Sequence, residues 1–229
     1  MKASLFRRSV AEFLGTAFLV AAVVGSGIMG ERLAGGNVAL ALLANTLATG
    51  AALVALILAF GGISGAHFNP VVTLADALSS RLAWREIVPY AVAQILGSVT
   101  GTIAAHLMFG LRVISLSHHE RKGPAQVFSE FVATFGLLAV IWGCSRFRPN
   151  ATAFAVGSYI AAAYWFTAST SFANPAVTIA RALSDTFAGI RPADVPVFVA
   201  AQLGGGLAAV VLFRWMTPSE ASGPETVLQ

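Results

Sequence analysis

Gly65-Ala66-His67-Phe68-Asn69-Pro70-Val71-Val72-Thr73 has an echo in the same chain, Phe172-Ala173-Asn174-Pro175-Ala176-Val177-Thr178-Ile179. Both carry Asn-Pro, then Val or Ala, then Val-Thr. An Asn side-chain oxygen accepts from the free N–H groups of a first helical turn, and Pro fits the first helical position, where its missing N–H costs nothing. Each stretch therefore predicts a helix start. The apolar runs that follow, Val71–Leu78 and Ala176–Leu183, are short. At 1.5 Å per residue, about two turns cannot cross a bilayer core of about 30 Å. A half-helix N-terminus carries about half a positive charge and unpaired N–H donors. Irregular backbone at membrane depth survives only where it is buried or lines a watery cavity. A single Asn-Pro pair is an ordinary cap. Two, at matching places in a repeat, point to a lumen between them.

The composition agrees with a membrane setting. The chain has 229 residues, 57% hydrophobic and 10% charged, and a mean hydropathy of +0.78. Soluble domains carry about 25% charged residues. The formal charge of +4 comes without a basic run of the kind that binds nucleic acid. The single cysteine, Cys144, excludes an intrachain disulfide and a cysteine metal cluster. The basic start, Met1–Arg8, leads into an apolar segment that holds Glu12 and lacks a clear small-residue cleavage site, so it reads as a retained first span.

Six segments are long enough to span: Val10–Met29, Val38–Phe60, Ile87–Phe109, Ala125–Cys144, Ala151–Ser169 and Val195–Met216. The half-helices follow the second and the fifth. The halves repeat in order. Ala11-Glu12-Phe13-Leu14-Gly15-Thr16 matches Ser129-Glu130-Phe131-Val132-Ala133-Thr134, and Gln94-Ile95-Leu96-Gly97 matches Gln202-Leu203-Gly204-Gly205. Three spans per half make an inverted repeat, whose broken helices point to a transport site. The expected fold is all-α: six spans and two re-entrant half-helices in one domain over residues 1–229. Repeat one covers about 10–110, repeat two about 125–216, and a polar tail 217–229. Eight basic residues against six favour cytoplasmic termini. Gly97-x-x-x-Gly101 and Gly205-x-x-x-Ala209 allow close helix approach.

These residues resemble the aquaporin, or major intrinsic protein, family over about Val10 to Met216. The match lies in Gly-Ala-His-x-Asn-Pro-x-Val-Thr, in the second Asn-Pro-Ala, and in the in-span glutamates and glutamines. The resemblance implies a homotetramer in the lipid bilayer with one pore per subunit, no cofactor, and Asn69 and Asn174 donating to solute at mid-pore. Two departures stand out. The first motif, Asn69-Pro70-Val71, has Val where the second, Asn174-Pro175-Ala176, has Ala. Position 177 is Val where the family normally has Arg. Counting back from the asparagines, the family's other filter positions fall on Thr49, Ala162 and Ser171. The set Thr49, Ala162, Ser171, Val177 is small, uncharged and without an aromatic. Without the arginine, one of two barriers to protons is missing.

Other residues carry two readings. Glu12 and Glu130, ionisable groups inside spans, suit either proton relay or support of the re-entrant loops by accepting their backbone N–H groups; support is favoured. His67 suits an inner-mouth gate or, preferably, a pore wall. His106, His118 and His119 have no carboxylate or thiol at ligand spacing, so no metal site is expected. Cys144 reads as packing.

The leading function is a passive channel for small neutral solutes, not an enzyme, since no nucleophile–base pair or metal motif is present. A secondary transporter remains the alternative, because inverted repeats serve both. Val177 with Asn-Pro-Val resembles the bacterial arsenic-operon branch of the family. That implies conduction of arsenite, antimonite and methylated arsenicals in a bacterial inner membrane. A broad glycerol, urea and water channel is the runner-up.

Overall fold

The structure is a computed structural model that describes residues 3–217, and all its regular structure there is helical. The elements are α1 (Leu5–Leu33), α2 (Val38–Ser64), α3 (Pro70–Leu78), α4 (Ile87–Met108), α5 (Pro124–Phe147), α6 (Thr152–Phe166), α7 (Pro175–Arg181) and α8 (Val195–Met216). The tail expected over 217–229 lies, apart from Thr217, outside the described residues.

Caps set the boundaries. Ser4 accepts from the Arg7 N–H and Asn37 from the Leu40 N–H. Gly65, at φ 93°, ends α2 in a left-handed conformation that suits glycine. Asn69 caps α3 by accepting from the Val71 N–H at 2.9 Å, and Asn174 caps α7 by accepting from the Ala176 N–H at 3.0 Å.

One span is shorter than expected. Ala151–Ser169 was expected as a fifth crossing, yet α6 has 15 residues, roughly 22 Å of helix. Among the described residues five helical segments have the length and hydropathy of a span, and α6 is not one of them. Pro149 opens a 3-10 turn before it. At its other end the Thr167 hydroxyl donates to the Ala163 carbonyl, and a turn closed by the Thr170 N–H on the Thr167 carbonyl follows.

The repeat organises the packing. In the first half α1 packs on α4 and α2; in the second, α5 packs on α8 and α6; α2 and α6 join the halves. A methyl on Gly97 would collide with the Phe13 carbonyl oxygen, and one on Gly205 with the Phe131 carbonyl oxygen. Only glycine lets these backbones approach so closely. The half-helices cross between repeats: α3 lies on α4 and α8, α7 on α8 and α4, and the two touch each other. Val71 is buried and points at Gly206 of α8, where an added methyl would strike it. The Asn-Pro-Val departure is thus accommodated in helix packing.

Candidate functional site

Residues 65–68 and 171–173 are held in matching, unusual conformations. Ala66 and Phe68 have φ of 50° and 49°; Ser171 and Ala173 have 50° and 49°. A left-handed residue with a side chain costs about 1–2 kcal/mol. Buried acceptors offset that cost. Glu12 accepts from the His67 and Phe68 N–H groups at 3.0 and 2.6 Å, from the Ser64 hydroxyl and from Gln94 Nε2. Glu130 accepts from the Phe172 and Ala173 N–H groups, both at 2.9 Å, and from Gln202 Nε2. Gln94 also donates to Thr73, and Gln202 to Thr178. Those threonines in turn donate to the Asn69 and Asn174 carbonyls. Among the described residues these are the donors to the two glutamates, and two backbone N–H groups of each loop are among them.

The two loops also hold each other. Asn69 Nδ2 donates to the Ala173 carbonyl at 2.7 Å, and Asn174 Nδ2 to the Phe68 carbonyl at 2.7 Å. An amide nitrogen has two N–H groups, so each asparagine keeps one beyond this bridge. Both asparagines line a cavity of about 210 Å³ that runs between the halves.

Thr49, Ser171 and Val177 line this cavity, as does His67. Ala162 does not: it is exposed, on the far side of α6. The α6 residues on the wall are Val156, Ile160 and Tyr164, spaced by four along one helical face. Counting back from Asn174 assumed a fixed loop length, whereas helical phase decides which side chain turns inward. Residue 162 is two positions, about 200°, from that face. Tyr164 therefore occupies the place given to Ala162, and its hydroxyl donates to Thr49 Oγ1 at 3.3 Å. Thr49, Tyr164, Ser171 and Val177 thus share the cavity wall. Ser171 Oγ is buried with no protein partner.

The cavity's two ends differ. At the α3 end, His67 Nε2 lies 3.1 Å from Asp76, its Nδ1 lies 3.1 Å from the Thr73 hydroxyl, and Arg81 Nε is 3.5 Å from Asp76. At the α7 end stands Arg181, which sequence reasoning left out of the wall. It is 2% exposed and lines the cavity. Its Nε donates to the Ala188 carbonyl, and its guanidinium carbon sits 3.4 Å from the centre of the Phe172 ring. Arg121, from the α4–α5 loop, flanks the same ring at 4.9 Å. It donates to the Gly189 and Ser169 carbonyls. Burial pulls Arg121 down to about 10, which leaves it protonated at neutral pH. The signal for Arg181 was present in the sequence: it follows Val177 by four, one turn along the same face, and follows Asn174 by seven, as Asp76 follows Asn69.

Cys144 is half-buried and absent from the wall, although its neighbours Ile141 and Ser145 are part of it. His106 is buried, with its ring nitrogens at the Val113 carbonyl and the Ser184 hydroxyl. His118 pairs with Asp185.

The chain matches the model of the family described as major intrinsic protein over residues 1–150 and 145–228. It is 57% identical to "Aquaglyceroporin AqpS" of Rhizobium meliloti (strain 1021), over 93% of this chain and 91% of that protein. "Aquaporin AqpM" of Methanothermobacter marburgensis is 30% identical over 93% of this chain and 98% of its own length. "X-ray structure of the aquaglyceroporin from Plasmodium falciparum" describes a fold neighbour with a TM-score of 0.74 at 22% identity, covering 92% of this chain and 96% of that one.

Proposed function

Because the chain belongs to the major intrinsic protein family, whose members are channels rather than enzymes, we propose that the cavity between α3 and α7 is a passive path for small neutral solutes. The observation that carries this reading is the reciprocal bridge by which Asn69 and Asn174 tie the two loops together on the cavity wall, each with an N–H left over. A solute entering there exchanges water for fixed donors without a coupling ion. The in-span carboxylates Glu12 and Glu130 are occupied by loop N–H groups, which argues against a proton- or sodium-coupled carrier.

The constriction in this reading is Thr49, Tyr164, Ser171 and Val177. It offers three hydroxyls and one apolar wall, a match for compact solutes that are themselves hydroxylated. We assign glycerol, urea and the metalloid hydroxides, arsenous and antimonous acid, to the path, with arsenous acid as the leading solute. The wall bears no thiol that would trap trivalent arsenic. Val177 supports entry of solutes too bulky for a filter with arginine there. Methylated arsenicals are the size test, because Tyr164 fills space that an alanine would leave open. The protein is assigned to a bacterial inner membrane as a homotetramer with cytoplasmic termini, which makes the α7 mouth the outer one.

The test is solute uptake into liposomes, with Asn69→Asp and Asn174→Asp as controls. Arsenite flux well above both is expected. Brisk glycerol flux with arsenite no faster than the controls would leave the broad polyol and urea channel.

A further inference from the structure

Arg181 is a fully buried cation on a cavity wall, and no carboxylate meets it among the described residues. Among the described residues its one side-chain hydrogen bond is through Nε, and no acceptor there meets its two terminal nitrogens. Those nitrogens are not sealed off either, since they are absent from the buried, unpartnered atoms. They open on the cavity. A buried charge is normally paired, because desolvation is costly. Here the compensation is the Phe172 ring face and a single carbonyl. Arg121 adds a second guanidinium behind the same ring. At the opposite end the charges are mixed, with Asp76 between His67 and Arg81.

We propose that Arg181 is the charge that sets the channel's specificity: it bars inorganic cations at the α7 mouth and offers its free N–H groups to oxygen-rich solutes. It does so one helical turn beyond Val177, so the fixed charge missing at 177 is restored further along the same helix face. In a narrow, poorly solvated passage a fixed unit charge acts strongly on a passing ion and weakly on a neutral solute.

This inference rests on the reading that the cavity conducts, and the experiment separates the two. Glycerol flux, potassium leak and proton leak are measured in the same proteoliposomes. Glycerol flux no faster than in empty liposomes would fail the channel reading itself. With glycerol flux above that of empty liposomes, Arg181→Gln is expected to raise the ratio of cation leak to glycerol flux on the order of tenfold or more. Arg181→Lys keeps the charge and should stay tight. The double variant Val177→Arg with Arg181→Val moves the charge back one turn and should also stay tight. A folded Arg181→Gln channel as cation-tight as the unsubstituted one would overturn the proposal. On the unsubstituted channel, methylphosphonate should slow glycerol flux more than tetramethylammonium at equal ionic strength; equal slowing would overturn it even if the variants fail to fold.

Discussion

The α3 and α7 ends of the cavity start from the same plan and finish with opposite chemistry. Each half-helix is capped by an asparagine, supported through a threonine and a glutamine, and preceded by a loop of three left-handed residues whose N–H groups a glutamate accepts in part. Seven residues after its asparagine, α3 carries Asp76 and α7 carries Arg181, both on the wall. Asp76 has His67 Nε2 at 3.1 Å and the Arg81 guanidinium at 3.5 Å. Among the described residues the Arg181 guanidinium meets one carbonyl and one ring face. Backbone support is duplicated because both loops face the same problem of unpaired N–H groups at depth.

The largest break in this symmetry should come from the supports. Glu12→Ala strips an acceptor from four donors and Glu130→Ala from three. Each orphaned buried donor costs about 1–3 kcal/mol. Both variants should lose most folded protein in detergent, Glu12→Ala more severely, read by thermal melting on a sizing column.

Next come the close approaches. Gly97→Ala and Gly205→Ala push a methyl into a facing carbonyl, and overpacking of this kind costs about 1–3 kcal/mol. Equivalent losses in the two halves are expected, and a loss in one alone would mean that only one helix pair is tight. A subtler asymmetry is Val71 against Gly206. Gly206→Ala alone should destabilise by about 1–3 kcal/mol, and adding Val71→Ala should restore most of it. Additive losses would break the contact.

The smallest effect concerns the exposed pair at the α7 side. The His118 backbone N–H, and then its imidazole, hold the Asp185 carboxyl below the usual range. A carboxyl lowered on folding adds stability above its unfolded value and loses it as pH falls through the folded one. For so exposed a pair Asp185→Asn should cost less than about 1 kcal/mol near neutrality, and the difference should vanish in acid and shrink in salt. Melting curves across pH read it.

Much of this was legible in the sequence because it rests on repeated identities. The asparagines, glutamates and glutamines recur in order, and each recurrence names a backbone need. Ala162 failed because helix phase, set by how α6 lies against α2 and α5, does not follow from distance to a motif. The short α6 failed because an apolar run continues past the point where Thr167 turns the chain. Arg181 was missed because a charge beside a loop reads as solvated until the loop is seen folded over it.

Substituted-cysteine blocking tests most directly whether solutes pass along this wall. In a Cys144→Ala background, Ile160→Cys puts a thiol on the cavity wall and Ala162→Cys puts one on the outer face of the same helix. A small methanethiosulfonate reagent is expected to stop glycerol flux through the first, reversibly with dithiothreitol, and to leave the second unchanged. Block at 162 with free flow at 160 would contradict it.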